Sequence, residues 1–287
     1  IVTDPGLLST GIVAQACDSL AASDMPFTIY SDVQADPPEA VVLSAAAFAR
    51  DQQIDGVVGL GGGSSMDVAK LIAVLASGRE DIAQLLESIY GIDLVVGERL
   101  PLIQVPTTAG TGSEVTPISI VTTGATQKTG IVSKRLLPDF AILDAQLTVG
   151  LPSHVTAATG VDAMVHAIEA FTSKAKKNAY SDMLAKQALL LLSANIRQVC
   201  TDGSDLDARQ AMLLGSMLAG QAFANAPVAA VHALAYPLGG HFHVPHGLSN
   251  SLVLPPVLRF NADAASALYA QLLDYVKPGS ALTTDSA

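Results

Sequence analysis

Basic residues are scarce: the 287-residue chain has 15 Lys and Arg against 26 Asp and Glu, a formal charge of −11. A nucleic acid or an anionic membrane would need a basic stripe to neutralise its phosphates, so this balance argues against both as partners. Long apolar runs are missing too. The strongest, residues 40–49, is interrupted by Ser44 and falls short of the roughly 18 residues that a membrane span requires. Cysteine is limited to Cys17 and Cys200, far apart and in no metal-ligand or redox spacing. They read as reduced, small core residues of a cytoplasmic protein. Charged residues make up only 14%, while half the chain is apolar. That profile describes a compact, well-buried enzyme rather than a disordered or fibrous protein.

No signal peptide is visible, and the chain opens at Ile1 without a Met. Ile1–Asp4 reads as the end of a strand whose start is missing, so an N-terminal segment is expected to precede it. The first half then alternates β-branched runs with amphipathic stretches, the pattern of a parallel α/β sheet. A helix is expected through Leu7–Leu20, a strand at Phe27–Tyr30, a helix at Glu39–Arg50 and a buried strand at Gly56–Leu60. Val68, Leu71, Ile72 and Leu75 recur at i, i+3, i+4 and i+7, which predicts a helix after Gly61-Gly62-Gly63. Leu102–Val105 and Phe140–Leu143 read as strands, and Ile118–Thr122 with Lys128–Val132 as a hairpin.

From about Leu151 strand signals nearly vanish through Arg259. Periodic stretches at Ala157–Thr172, Tyr180–Val199, Leu206–Ala224 and His232–Gly240 predict a helical second domain. The expected division is therefore 1–150, an α/β domain, and 151–287, an all-α domain. The tail, Lys277–Ala287, reads as disorder or an abrupt end.

Three segments carry chemistry. Gly61-Gly62-Gly63-Ser64-Ser65-Met66-Asp67 sits between a buried strand and a helix. Glycines let backbone N–H groups approach phosphate oxygens, and the helix N-terminus adds partial positive charge. The bland alternative is a tight turn capped by Ser64 or Ser65. Pro106-Thr107-Thr108-Ala109-Gly110-Thr111-Gly112-Ser113-Glu114 is a second loop after a strand. Its hydroxyls suit phosphate and ribose, or equally a turn that satisfies its own backbone. Asp4, just after the first strand, can accept from ribose hydroxyls and would repel a 2′-phosphate, favouring NAD; it can also cap a helix with Pro5 at its first position.

The third segment is Ala158–Glu169. Asp162 and His166 are i and i+4, so they share one helix face among apolar neighbours. A carboxylate buried there needs a partner, either a cation or a structural imidazole. His232 and His246 supply further imidazoles, with His241 and His243 as competitors that spacing alone leaves open. Three His and one Asp would suit Fe(II) or Zn(II) rather than Mg or Ca.

Taken together, Gly-Gly-Gly-Ser-x-x-Asp-x-Ala-Lys (61–70), Pro-Thr-Thr-Ala-Gly-Thr-Gly-Ser-Glu-Val-Thr (106–116), Ala-Thr-Gly-Val-Asp-Ala-x-x-His-Ala-Ile-Glu (158–169) and Pro-His-Gly-x-x-Asn (245–250) resemble the iron-containing (group III) alcohol dehydrogenases. The resemblance implies an N-terminal α/β dinucleotide-binding domain followed by an all-α metal-binding domain, the dehydroquinate-synthase-like architecture. It makes Asp162, His166, His232 and His246 the metal ligands and sets His241 and His243 aside. It aligns Gly62, Gly63 and Ser64 with the pyrophosphate turn, and Asp67, which ends that segment, is expected among the cofactor-binding residues. Thr107, Thr108, Thr111 and Lys128 align with cofactor contacts, and Asp4 with the acidic residue that favours NAD.

Where many members carry a further His after the third ligand, this chain has Tyr236, a phenol that can also relay a proton. Members also continue beyond this C-terminus with more helices, so the chain alone is expected to be less stable than a complete member, or inactive. The implied activity interconverts a small primary alcohol or diol and its aldehyde. It uses NAD and Fe(II), with Zn(II) as the alternative ion, and a homo-oligomer stays open. The rivals are a zinc polyol dehydrogenase or maleylacetate-type reductase of the same fold, a dehydroquinate-synthase-like lyase, and an NAD-binding remnant without turnover.

Overall fold

The structure is a computed structural model that describes residues 1–78, 80–95, 97–124 and 126–278. Residues 279–287 of the tail thus lie outside the described residues. Two compact units emerge, one formed by residues 1–107 and 113–143, the other by 108–112 and 144–287.

The first unit is built on a parallel sheet of β1 (Val57–Gly61), β3 (Leu102–Pro106) and β6 (Phe140–Ala141) in the order β1-β3-β6. Single parallel bridges from Val2 to Gly59 and to Tyr30 extend it on the β1 side. The residues expected to form the strand Phe27–Tyr30 therefore contribute one bridge rather than a ladder. A second sheet joins β2 (Gly91–Ile92), β5 (Gln127–Val132) and β4 (Ile118–Thr123), with β4 and β5 as the expected antiparallel pair.

The expected Leu7–Leu20 helix is two helices, α1 (Pro5–Leu8) and α2 (Ile12–Ala21). Gly11, at φ 84°, caps α2 in a left-handed conformation that would break a continuous helix. Next come α3 (Glu39–Asp51), α4 (Gly63–Leu75) and α5 (Ile82–Ser88). Helix α4 is the centre of this unit: from Ser65 to Leu75 all its residues are buried except Asp67. Helix α5 is short, and no reading of periodicity had singled it out.

The second unit comprises α6 (Ser153–Thr172), α7 (Ala179–Thr201), α8 (Leu206–Asn225), α9 (Ala230–Phe242) and α10 (His246–Val276). Phe171, Leu184, Leu189, Leu192 and Met212, with a set of buried alanines, form its core. Small side chains let helices approach closely. Helix α10 was hidden from the sequence because Pro255 and Pro256 lie inside it and signal a break. Among the described residues no helix is long and apolar enough to cross a membrane. Cys17 and Cys200 are free and half-buried rather than core residues.

Candidate functional site

Helix α6 places Asp162, His166 and Glu169 at i, i+4 and i+7, all buried on one face. His232 stands in the first turn of α9. The left-handed residue His243 then ends α9, and Pro245 leads into α10, whose first residue is His246. Two glycines permit the close approach. A Cβ on Gly247 would lie 2.4 Å from the Ala158 carbonyl oxygen, and one on Gly110 would lie 2.7 Å from the Thr159 Cβ. The first lets α10 meet α6, and the second seats residues 108–112 beside His166.

Asp162, His232 and His246 each present a ligand atom within 4.8 Å of the other two. Both Nε2 atoms stand 3.7 Å from Asp162 Oδ1. His166 is outside that tight trio, but its ring stacks on that of His232, with centroids 4.5 Å apart and planes inclined by 18°. His241 and His243 are exposed and take no part in the trio. Tyr236 stacks near His246 at 6.1 Å.

The hydrogen bonds fix which nitrogens are available. His232 Nδ1 donates to Glu169 Oε2 at 2.7 Å, and His166 Nδ1 donates to the Gly110 carbonyl at 3.2 Å. A neutral imidazole with its proton on Nδ1 offers its Nε2 lone pair. The Nε2 atoms of His232 and His246, with Asp162 Oδ1, meet at the Asn250 amide nitrogen, which lies 3.2 Å from each Nε2 and bonds the carboxylate. An NH₂ group has two hydrogens for these three acceptors, and Asn250 Oδ1 is itself buried without a partner. With both imidazoles unprotonated at Nε2 the set has more converging lone pairs than hydrogens to meet them, which fits a cation.

Electrostatics agree in sign. Burial would raise the Asp162 pKa, but His166, His232 and His246 hold it well below the usual carboxylate range. Burial lowers His166 to about 4, so it is neutral near pH 7. His232 is the opposite: burial would lower it, but the carboxylates of Asp162 and Glu169 beside it raise it to about 9. A proton and a metal ion are alternatives for the same Nε2. The sequence reading missed Glu169 and Asn250. Each had a signal, Glu169 being i+3 from His166 and Asn250 i+4 from His246 on a shared face.

In the α/β unit, α4 begins at Gly63, and its cap residue Gly62 gives no side-chain hydrogen bond. Its first-turn N–H groups are thus left for an acceptor from outside the helix. Ser64 Oγ accepts from Asp36 N at 3.3 Å. Lys128 Nζ pairs with Asp36 Oδ1 at 2.8 Å and donates to Thr122 at 2.9 Å. Thr107 follows β3 and bonds back to Gly61 O at 2.9 Å. Thr108 and Thr111 belong to the short segment grouped with the helical unit. Asp4 Oδ1 caps α1 by accepting from Gly6 and Leu7. The Asp67 carboxylate accepts from Ser113 Oγ at 2.6 Å and Ile120 N at 2.9 Å, and faces Lys70 at 3.6 Å.

Comparison with known proteins decides the family. Residues 1–145 match the iron-containing alcohol dehydrogenase profile, and residues 156–286 match the C-terminal domain of the Fe-containing alcohol dehydrogenase family. This chain belongs to the iron-containing alcohol dehydrogenase family. It is 44% identical over 285 residues to long-chain-alcohol dehydrogenase 1 of Geobacillus thermodenitrificans, covering 99% of this chain and 71% of that one. A crystal structure of a 1,3-propanediol oxidoreductase superposes with a TM-score of 0.92 at 38% identity, covering 99% of this chain and 73% of that one. Sulfoacetaldehyde reductase from Bifidobacterium kashiwanohense, solved in complex with NAD+, gives 0.86 at 31% identity, covering 99% and 74%. The fold is accordingly that of the family, a parallel-sheet α/β region followed by an all-helical one, and the chain is an oxidoreductase.

Proposed function

We propose that this chain interconverts a small primary alcohol or diol and its aldehyde with NAD(H), assisted by one divalent metal held by Asp162, His166, His232 and His246. The observation that carries the reading is the convergence of Asp162 Oδ1 and two imidazole Nε2 atoms on a single amide nitrogen. His166 joins them as the fourth ligand because its Nδ1 is committed to Gly110 O, leaving Nε2 as its donor atom. The family favours iron, and the same N₃O set accommodates zinc. The names of the compared proteins, with a long-chain alcohol, 1,3-propanediol and sulfoacetaldehyde, support a terminal hydroxyl or aldehyde as the reacting group.

When bound, the metal supplies a Lewis acid for the substrate oxygen, and the nicotinamide accepts or returns the hydride. The remaining work falls to the chain's own side chains. The uncapped start of α4 at Gly62, Gly63 and Ser64 offers N–H groups to the pyrophosphate. Thr107, Thr108, Thr111 and Lys128 complete the polar contacts to the cofactor. Asp4 keeps a second carboxylate oxygen for ribose hydroxyls and disfavours a 2′-phosphate. Asp67, engaged by Ser113, Ile120 and Lys70, acts on the cofactor by holding the loop rather than by touching it. Tyr236, whose ring centroid lies 6.1 Å from that of His246, relays the proton. On this reading the α/β region is the NAD-binding domain and the helical region the metal domain, and two free cysteines suit a cytoplasmic setting.

The test is chelation to remove metal, then add-back of Fe(II) or Zn(II), following NADH formation over a panel of primary alcohols and diols. Loss and recovery of activity is the expected result. Activity that survives complete metal removal contradicts the metal role.

A further inference from the structure

One buried carboxylate has been given no part in binding either group. Glu169 lies on α6, only 4% exposed, and its two oxygens take three N–H groups. Oε1 accepts from Val231 N at 2.7 Å, and Oε2 accepts from Ala229 N at 3.0 Å and from His232 Nδ1 at 2.7 Å. Helix α9 has no cap from its own side chains, since its N-cap residue is Ala229. The first turn of α9 is therefore capped from another helix, by the same group that grips the His232 ring.

We propose that Glu169 is the positioning residue of the metal cluster, tying the His232-bearing end of α9 to the α6 face that carries Asp162 and His166, and aiming His232 Nε2 at the ion. The inference rests on the metal reading above. Three constraints meet in one carboxylate. The two backbone bonds set where α9 starts, the imidazole bond sets the ring rotation, and the proton it keeps on Nδ1 leaves Nε2 as the donor atom. A carboxylate also makes that imidazole a stronger donor to a cation than a neutral acceptor would.

The experiment titrates Co(II) into the metal-stripped full chain, wild type and Glu169→Gln, with folding followed by circular dichroism. A parallel nitrogen-15 NMR measurement on the zinc-loaded wild type reads which His232 nitrogen binds the ion, and it needs no variant. We expect about 10–100-fold weaker Co(II) binding in Glu169→Gln, and zinc on Nε2 with a hydrogen-bonded proton on Nδ1. A merely structural Glu169 would lower the melting temperature and leave the Co(II) Kd of the folded protein unmoved. That result, or zinc on Nδ1, overturns the inference while leaving the metal reading intact. A wild type that binds no Co(II) overturns both.

Discussion

Each unit of this protein buries a cluster of charged and polar side chains, and the two clusters are made differently. In the α/β unit, Lys70 is fully buried on α4 and its ammonium donates to Ser113 Oγ, Thr116 Oγ1 and the Ile118 carbonyl, with Asp67 beside it. That cluster contains its own cation. In the helical unit, Asp162 Oδ1 and the Nε2 atoms of His232 and His246 converge on one neutral amide nitrogen, and the positive charge that joins them is exchangeable, a proton on His232 or a cation in its place. The first arrangement is closed and serves to fasten the 113–120 segment to α4. The second is open to one particular kind of guest. Burial alone does not distinguish a structural polar cluster from a binding site; the balance of donors and acceptors does.

The largest expected effect comes from removing the anionic member of the open cluster. Asp162→Asn keeps the shape and deletes the charge, so metal affinity should fall by more than about 100-fold, beyond the loss seen when only an outer partner is removed. Equilibrium dialysis with metal analysis reads this directly, and unchanged affinity would erase the contrast between the clusters.

Next is Lys70→Met, which strips the closed cluster of its cation and leaves the half-buried Asp67 without its counter-charge. Denaturant unfolding should show a loss of about 3–5 kcal/mol, while metal affinity of the protein that remains folded should stay at the wild-type value. A drop in metal affinity would mean that the two clusters do not act separately.

The smallest effect is a pH dependence. Burial raises the Glu114 carboxyl from 4.5 to about 7, against its own backbone amide and Lys70. The folded state then binds more protons than the unfolded state between those values. Its contribution is fully present below about 4.5 and is lost as pH rises through about 7. Relative to Glu114→Gln, the wild type should lose stability steadily across that window and run parallel above it. Parallel unfolding curves from end to end would show that Glu114 is not held protonated.

The contrast was only half visible in the sequence. The i, i+4 spacing of Asp162 and His166 marks a helix face whatever the tertiary fold, and Gly61-Gly62-Gly63 between a buried run and an amphipathic run marks a strand–turn–helix. These signals are local, which is why the helices α3, α4, α6, α7 and α8 were legible along with the hairpin. Helix α10 was not, because Pro255 and Pro256 read as breakers and the packing that tolerates them is tertiary. Leu7–Leu20 failed at Gly11 for the converse reason: apolar periodicity continued through a turn that the backbone does not follow. The partners of the site were also non-local. Glu169 meets α9 62 residues onward at Val231, and Asn250 meets Asp162 across 88 residues, separations that no spacing argument spans. Asp67 ends the phosphate-turn motif in the sequence, and the partners of its carboxylate, Ser113 and Ile120, lie 46 and 53 residues onward.

The Asp162–His232–His246 cluster, with His166, is proposed as a divalent-metal site. Its most direct test is the thermal unfolding of chelator-stripped protein with and without added Zn(II) or Co(II), alongside the stoichiometry of the ion retained. A metal site there should retain about one ion per chain and stabilise the folded state by about 2.7 kcal/mol once free metal reaches a hundred times its Kd. An unfolding transition that ignores the metal, with no ion retained after gel filtration, would contradict it.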